Sequence, residues 1–424
     1  MAYYIAPLMV TMSIFLSCNN PTNTPEQVIS KLAFYTQRDG GISITLNGET
    51  KTDTQSYPQE VARDCNSFKG MKFTVDGGKW YYYKAKLLAT GQTIYDSAYV
   101  SKGSCFSREA FPLPIAYPAG GVLKTTIESI NGDRMIFSID LFVVDNKSKF
   151  IRSLNEKNIL VESDYFKNEG RADSTYYKFN LDYVQELNQT NSGPYSAAML
   201  FDQSGSLAST DPSNTRLDAA ETFLSSVESQ DYVHVSAFAS NGSIPYELTQ
   251  YGTAFTHDAL SYIPTVRNFK NSVGGGTPLY KSISSILDFT NQNAMTQNKA
   301  VVVFTDGEDT DGSTTVDNVI SKAQANGVKV FTVGLGNNTS RAELARIANQ
   351  TGGAFISASD AQYLISVYGS LGNLLRGTGT FYRARFSVQK FHPGGFNGSG
   401  WYSTSVKVKL NDGTIVWVPF VVNY

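Results

Sequence analysis

Between residues 195 and 376 the chain repeats one physical pattern: a short, mainly apolar run, then a stretch with apolar residues at helical spacing. The apolar runs are 197–201, 233–238, 300–304 and 328–333, with 354–356 as the last. Each is of strand length, and 197–201 and 300–304 are apolar throughout, so both of their faces need cover. Between the runs, Leu217, Ala220, Phe223, Leu224 and Val227 share one helical stripe, and Val316, Val319, Ile320 and Ala323 share another that Gly327 ends. Ser340 with Glu343 reads as a capping box, and Leu364 and Val367 mark a final helix. Strands alternating with helices imply a parallel sheet wrapped by helices.

The first apolar run leads into Asp202-Gln203-Ser204-Gly205-Ser206. Alternate residues in an extended turn point the same way, so one carboxylate and two hydroxyls can converge. Asp306 stands at the end of the run 300–304. Ligands of open α/β sheets bind beyond the carboxyl ends of the strands, which puts Asp202 and Asp306 at one edge. A third piece, Gly274-Gly275-Gly276-Thr277-Pro278-Leu279, precedes the stripe Tyr280, Ile283, Ile286 and Leu287. Its glycines permit close backbone approach, and Thr277 before Pro278 reads as an N-cap followed by the first helical residue. Such hard oxygens suit Mg²⁺.

On these three pieces, residues 195–376 resemble a von Willebrand factor A domain. Asp202, Ser204 and Ser206 match the family's Asp-x-Ser-x-Ser, Thr277 its lone threonine and Asp306 its second aspartate. The resemblance implies a Rossmann-like doubly wound fold and a metal-ion-dependent adhesion site. Ser204, Ser206 and Thr277 would ligate through neutral oxygens, with Asp202 and Asp306 acting largely through waters. Mg²⁺ is the expected ion, and Mn²⁺ or Ca²⁺ suits the same oxygens. A partner protein's Asp or Glu carboxylate would complete the coordination. Glu308, Asp309 and Asp311 could hold a second ion, but a solvated acidic loop is the simpler reading. They do not fit an EF-hand loop, because no Glu stands at its twelfth position.

The expected role is therefore binding rather than catalysis. Two alternatives remain: a non-catalytic scaffold subunit of an envelope complex, or a metal-dependent hydrolase. The latter needs a base in reach, for which Glu308 is the only candidate. His234, His257 and His392 are too scattered for a zinc site or a catalytic triad. A net charge of −2 gives no electrostatic footprint for nucleic acid.

The flanks read as β structure. Residues 40–111 alternate in strand fashion, with Asn47-Gly48 and Asp76-Gly77-Gly78 as turns and an aromatic run at 80–83. That run is compatible with a sugar-binding face, although packing and shielding a small core is the simpler role. Residues 381–388 and 406–422 form a tail of too few strands to bury itself, expected to pair with strands from 125–187.

At the N-terminus, residues 5–16 are apolar, too short to span a bilayer but suited to a signal peptide. Phe15-Leu16-Ser17-Cys18 resembles a bacterial lipobox, which implies lipidation of Cys18 and a membrane-anchored protein of the cell envelope, on the outer membrane. Cys65 and Cys105 then remain as an even pair in a β region, and a disulfide is expected between them.

The 424 residues argue for more than one domain. The expected architecture is multidomain α/β plus β: a signal peptide (1–18), a flexible tether (19–38), a small β-sandwich (39–112), the first part of a second sandwich (113–190), the A-type domain (195–376) inserted into it, and strands completing that sandwich (377–424).

Overall fold

A computed structural model describes residues 29–38, 40–62, 64–88, 93–111, 116–160, 164–167, 174–188, 191–240, 247–336, 340–391 and 394–424. The chain divides into two compact units, one ending at Pro112 and the next starting at Leu113. Cys18, and with it the signal-peptide reading, lies outside the described residues, as does His392. Among the described residues no helix is long and apolar enough to cross a membrane.

The first unit pairs two antiparallel-rich sheets. Strand Ile29–Tyr35 lies between Lys72–Asp76 and Cys105–Glu109, and a second sheet runs in the order Glu49–Asp53, Ile42–Leu46, Lys79–Leu87, Thr93–Val100. Phe34 of the first sheet meets Tyr83 of the second at 4.5 Å between ring centroids. The expected tether is too long by this account: 29–35 is the central strand of its sheet, not a linker. Leu32 and Phe34 face the inter-sheet core, whereas Ala33 and Tyr35 pack on Cys65 and Phe68. A strand buried on both faces shows no alternation, so a polar-looking approach hides it. The disulfide Cys65–Cys105 is formed, with Cα atoms 5.5 Å apart. Closing its loop restricts the unfolded chain by about 4 kcal/mol.

In the second unit one mixed sheet of eleven strands runs through the α/β and β regions. Its α/β half runs in the order Leu248–Gln250, Tyr232–Phe238, Tyr195–Asp202, Asn298–Thr305, Val328–Leu335, Phe355–Ala358. That is the doubly wound order 3-2-1-4-5-6, with the short third strand antiparallel. Strand Tyr195–Asp202 is buried along its whole length. Its Ala197, Met199 and Phe201 join the core under helices Thr215–Ser225 and Gln362–Arg376. Ala198 and Leu200 face the opposite core, under Leu279–Asn293, Val316–Asn326 and Arg341–Thr351. The stripe Tyr280, Ile283, Ile286, Leu287 is buried as the helical spacing requires. Gly327 ends its helix at φ +60°, a conformation costly for other residues. The expected capping box at Ser340 is not made: its side chain leaves the helix N-terminus uncapped.

The sheet does not stop at the α/β boundary. Phe355 pairs antiparallel with Val122 of strand Ala119–Asn131. Beyond that contact the side-chain amide of Asn349 continues the ladder, donating to the Thr125 carbonyl at 3.0 Å and accepting from its N–H at 3.3 Å. The tail strand Phe381–Phe391 lies between Arg134–Val144 and Ser174–Leu187. The two remaining tail strands, Trp401–Lys409 and Ile415–Asn423, form a second sheet with Ile159–Leu160. The two sheets share a core in which Phe137 stacks on Phe386 at 5.4 Å and on Phe420 of the opposite sheet at 5.7 Å.

His234, inside strand Tyr232–Phe238, is fully buried against Phe289, with ring centroids 4.3 Å apart. Its Nδ1 is 3.4 Å from the Ala254 carbonyl, and its Nε2 has no hydrogen-bond partner among the described residues. Burial pushes the imidazole down to about 4 from 6.5. A group depressed in the folded state contributes stability above its unfolded pKa and loses it as pH falls toward the folded value. Stability should therefore fall by roughly 3 kcal/mol between pH 6.5 and pH 4 from this residue alone. In urea unfolding at both pH values, His234→Phe is expected to remove that one-proton slope.

Candidate functional site

The strand order reverses between Tyr195–Asp202 and Asn298–Thr305, because the chain leaves them toward opposite edges of the sheet. The two connections diverge there, leaving a crevice beyond the carboxyl ends. Asp202 ends one of these strands and Asp306 follows the other. A cleft of about 590 Å³ opens at this point, lined by Ser204, Ser206, Gly275, Gly276, Thr277, Asp306, Gly307, Glu308 and Thr310.

Asp202 lies beneath the cleft and is wholly buried. Its Oδ1 accepts the Ser204 N–H at 2.7 Å, which folds the turn back on the strand end. Its Oδ2 accepts the Thr305 hydroxyl at 2.7 Å. Burial, against the opposing effect of these hydrogen bonds and with a further push from Asp306, raises the Asp202 carboxyl to about 6. Asp306 is also wholly buried. It accepts the Ser206 hydroxyl at 2.8 Å and the Thr210 hydroxyl on its other oxygen. Ser204 Oγ and Ser206 Oγ are 3.1 Å apart.

Thr277 arrives on the third segment. The Gly274 N–H donates to the Gln203 carbonyl at 2.8 Å and the Gly205 N–H to the Gly275 carbonyl at 3.0 Å, so the glycine loop lies directly against the turn. At Gly276 a Cβ would stand 2.7 Å from Ser240 Oγ and 2.9 Å from Thr310 Oγ1, which is why no larger residue fits. A Cβ on Gly307 would stand 3.3 Å from Thr277 Oγ1 and 3.8 Å from Ser206 Oγ. Hydroxyls from two segments therefore surround one point beside Asp306. The five sequence candidates, Asp202, Ser204, Ser206, Thr277 and Asp306, all come together.

Two readings of the neighbourhood need correction. Thr277 does not cap the helix; Pro278 occupies the cap position, and no side chain of the cap residue bonds the first turn. Instead Thr277 exchanges two bonds with Thr310: its N–H donates to Thr310 Oγ1 at 2.8 Å, and the Thr310 N–H donates to its carbonyl at 2.9 Å. This leaves the Thr277 hydroxyl free for the cleft. Asp309, read as part of a solvated acidic loop, supplies the missing cap. Its Oδ1 accepts the Tyr280 N–H at 3.1 Å and its Oδ2 the Gly312 N–H at 2.9 Å.

Three supporting residues escaped the sequence reading. Thr305 and Thr210 hold the two carboxylates, as above. Arg216 is buried, forms a 2.9 Å ion pair with Asp211 and reaches Gln203 Oε1 at 3.5 Å. Gln203, the variable position of the motif, is itself buried and donates to the Asp202 carbonyl at 2.8 Å. Only Thr305 carried a usable signal, as a hydroxyl where the buried strand 300–304 meets Asp306.

The donor set fits a hard cation. Among the described residues no group of three or more His, Cys, Asp or Glu forms a metal cluster. The oxygens here are instead hydroxyls around two buried carboxylates, and the charge of Asp306 disfavours that of Asp202. A cation would relieve that repulsion.

Residues 198–369 match the von Willebrand factor type A domain family. This segment is a von Willebrand factor type A domain. Calcium-activated chloride channel regulator 1 of Sus scrofa is 29% identical over 177 residues, covering 41% of this chain and 18% of that protein. The chain thus matches about a fifth of the length of that curated relative. A solved von Willebrand factor type A structure from Catenulispora acidiphila is 12% identical, covers 72% of this chain and 73% of its own, and has a TM-score of 0.37. Proximal thread matrix protein 1 from the mussel byssus, solved with a zinc-occupied MIDAS motif, is 17% identical over 49% of this chain and 50% of its own, at a TM-score of 0.35.

Within the type A domain, the Thr305 hydroxyl fixes one oxygen of Asp202. Thr305→Val keeps the shape of the side chain and removes that bond. A lost supporting bond of this kind is expected to weaken divalent-cation binding by about 10- to 100-fold. Isothermal titration with Mn²⁺ checks this, and wild-type affinity in the variant would contradict it.

Proposed function

We propose that this chain is a cell-envelope lipoprotein whose type A domain binds a partner protein through a divalent cation held at the cleft. The observation that carries the reading is the meeting of Ser204, Ser206 and Thr277 hydroxyls around buried Asp202 and Asp306 at the reversal point of the sheet. Together these five residues are proposed to form a complete metal-ion-dependent adhesion site, with Mg²⁺ as the first expectation and Mn²⁺ or Ca²⁺ as alternatives.

Each residue has a separate task in this reading. The three hydroxyls offer neutral oxygens to the cation. Asp202 and Asp306 supply negative charge from beneath without occupying the solvent side. When bound, the cation offers an electrophilic position that a carboxylate oxygen of a partner can fill. The open cleft rim, including Glu308, then selects among partners by repelling those with excess acidic charge.

The reading is non-catalytic. No histidine lines the cleft, and Glu308 is the only side chain there placed to serve as a general base besides the candidate ligands themselves. Lipidation of Cys18 would tether the domain outside the cytoplasm, and the type A domain would sit between sandwich segments as an insertion. A scaffold role without metal-dependent capture is the alternative that the same experiment separates.

Crosslinking of the full chain in intact cells tests the proposal. Capture of a partner in Mg²⁺ is expected to be lost with EDTA and with Asp202→Ala. Capture indifferent to both treatments contradicts a metal-bridged interaction and leaves the scaffold role.

A further inference from the structure

The strand Lys79–Leu87 carries a run of aromatic residues, and the sheet separates them into two populations. Tyr81 and Tyr83 point into the core with Ala85 and Leu87. Trp80 and Tyr82 point outward, 59% and 77% exposed. The neighbouring strand Thr93–Val100 adds Tyr95 and Tyr99, 77% and 45% exposed, to the same outer face. The register fixes their arrangement: Trp80 stands opposite Tyr99, and Lys84 opposite Tyr95. Trp80 and Tyr99 are in ring contact at 5.7 Å, and Lys84 Nζ lies 5.8 Å from the centroid of the Tyr95 ring. Shielding the small core does not require these rings, since that core is closed by the inward set alone. Four large rings left in water on one face ask for a ligand.

The charge on this face is one-sided. Lys84 and Lys86 project outward from the same strand, and neither has an acidic partner among the described residues. The acidic residues of these strands lie on the other side. Glu49 and Asp53 stand opposite Leu46 and Ile42, and Asp96 stands opposite Tyr83, all three of these partners buried in the core. The two far strands complete the outer face with hydroxyls: Thr45 Oγ1 is 2.8 Å from Thr50 Oγ1, and Thr52 donates to Ser43 at 3.2 Å. Same-face residues repeat about every 7 Å along a strand. The face is thus a row of rings beside a cationic pair and a strip of hydroxyls, without a carboxylate among the described residues.

We propose that this outer face binds an acidic polysaccharide of the uronic-acid class. The C–H faces of sugar rings carry slight positive charge and stack on the electron-rich faces of Trp80, Tyr82, Tyr95 and Tyr99. Lys84 and Lys86 meet the uronate carboxylates, and the hydroxyl strip exchanges hydrogen bonds with the sugar. The site lies wholly on the first unit and needs no cation, unlike the cleft of the type A domain.

Affinity electrophoresis of the full chain in EDTA tests this, with gels containing polygalacturonate, its fully methyl-esterified form, or dextran. EDTA and an Asp202→Ala background remove any binding of uronate through the other cleft. Retardation is expected with polygalacturonate, weaker with the esterified polymer and absent with dextran. Each ring should contribute about two- to tenfold in affinity, so Tyr82→Ala with Tyr95→Ala is expected to weaken binding by about 4- to 100-fold, whereas Tyr82→Phe with Tyr95→Phe retains it. Lys84→Ala with Lys86→Ala should bring polygalacturonate down to the level of its ester. These side chains are exposed, so an unchanged thermal melt shows that the variants fold. No retardation by polygalacturonate, equal retardation in the ring-deleted variant, or equal binding to dextran overturns the proposal.

Discussion

Asp202 is a carboxylate placed where water cannot reach it. It ends a strand that is buried from end to end in the middle of the sheet, and burying an unmatched charge there would be costly. The surroundings are built to answer that cost. The Ser204 N–H and the Thr305 hydroxyl each hold one of its oxygens. Those bonds turn the chain back at Gln203 and bring Ser204 and Ser206 to the cleft. Asp306, equally buried, adds a second negative charge nearby and keeps the first incompletely matched. The pair is tolerable at the switch point because a cleft opens above it, through which a cation has access.

The remaining donors are held by bonds that have nothing to do with a cation. Thr277 is fixed by its exchange with Thr310, and the helix behind it is capped by Asp309. The buried Arg216–Asp211 pair braces Gln203 from below. Removing one partner of a buried pair leaves an uncompensated charge, so this brace is costly to disturb. Donors already in place lose little freedom on binding, which favours affinity and geometric selectivity.

Much of this was legible in the sequence, for identifiable reasons. The central strands had to be apolar throughout, and the helices had to present a stripe, so the α/β alternation stood out. The five candidate oxygens sat at strand or helix ends, where pattern and chemistry coincide. What stayed hidden depends on distant partners. Strand Ile29–Tyr35 is covered on both faces by segments far along the chain, so no alternation marked it. Asp309 looked like one acid of a solvated loop, because its role requires the Tyr280 N–H almost thirty residues away in sequence. Arg216 stands just before a helical stripe and nothing local marks it, yet it is among the most buried side chains of the unit. The continuity of the sheet from Phe355 to Val122 follows from one short antiparallel contact, which no local signal encodes.

The central claim is that the hydroxyls and the two buried carboxylates hold a cation with a position still open to a carboxylate. Water-proton relaxation by Mn²⁺ added to the full chain measures both halves at once, since only a bound ion that keeps exchanging water enhances relaxation strongly. The account predicts saturable enhancement that falls when glutarate is added and is absent in Asp202→Ala and Asp306→Ala. Enhancement that is unsaturable, or the same in the wild-type chain and both variants, would contradict it.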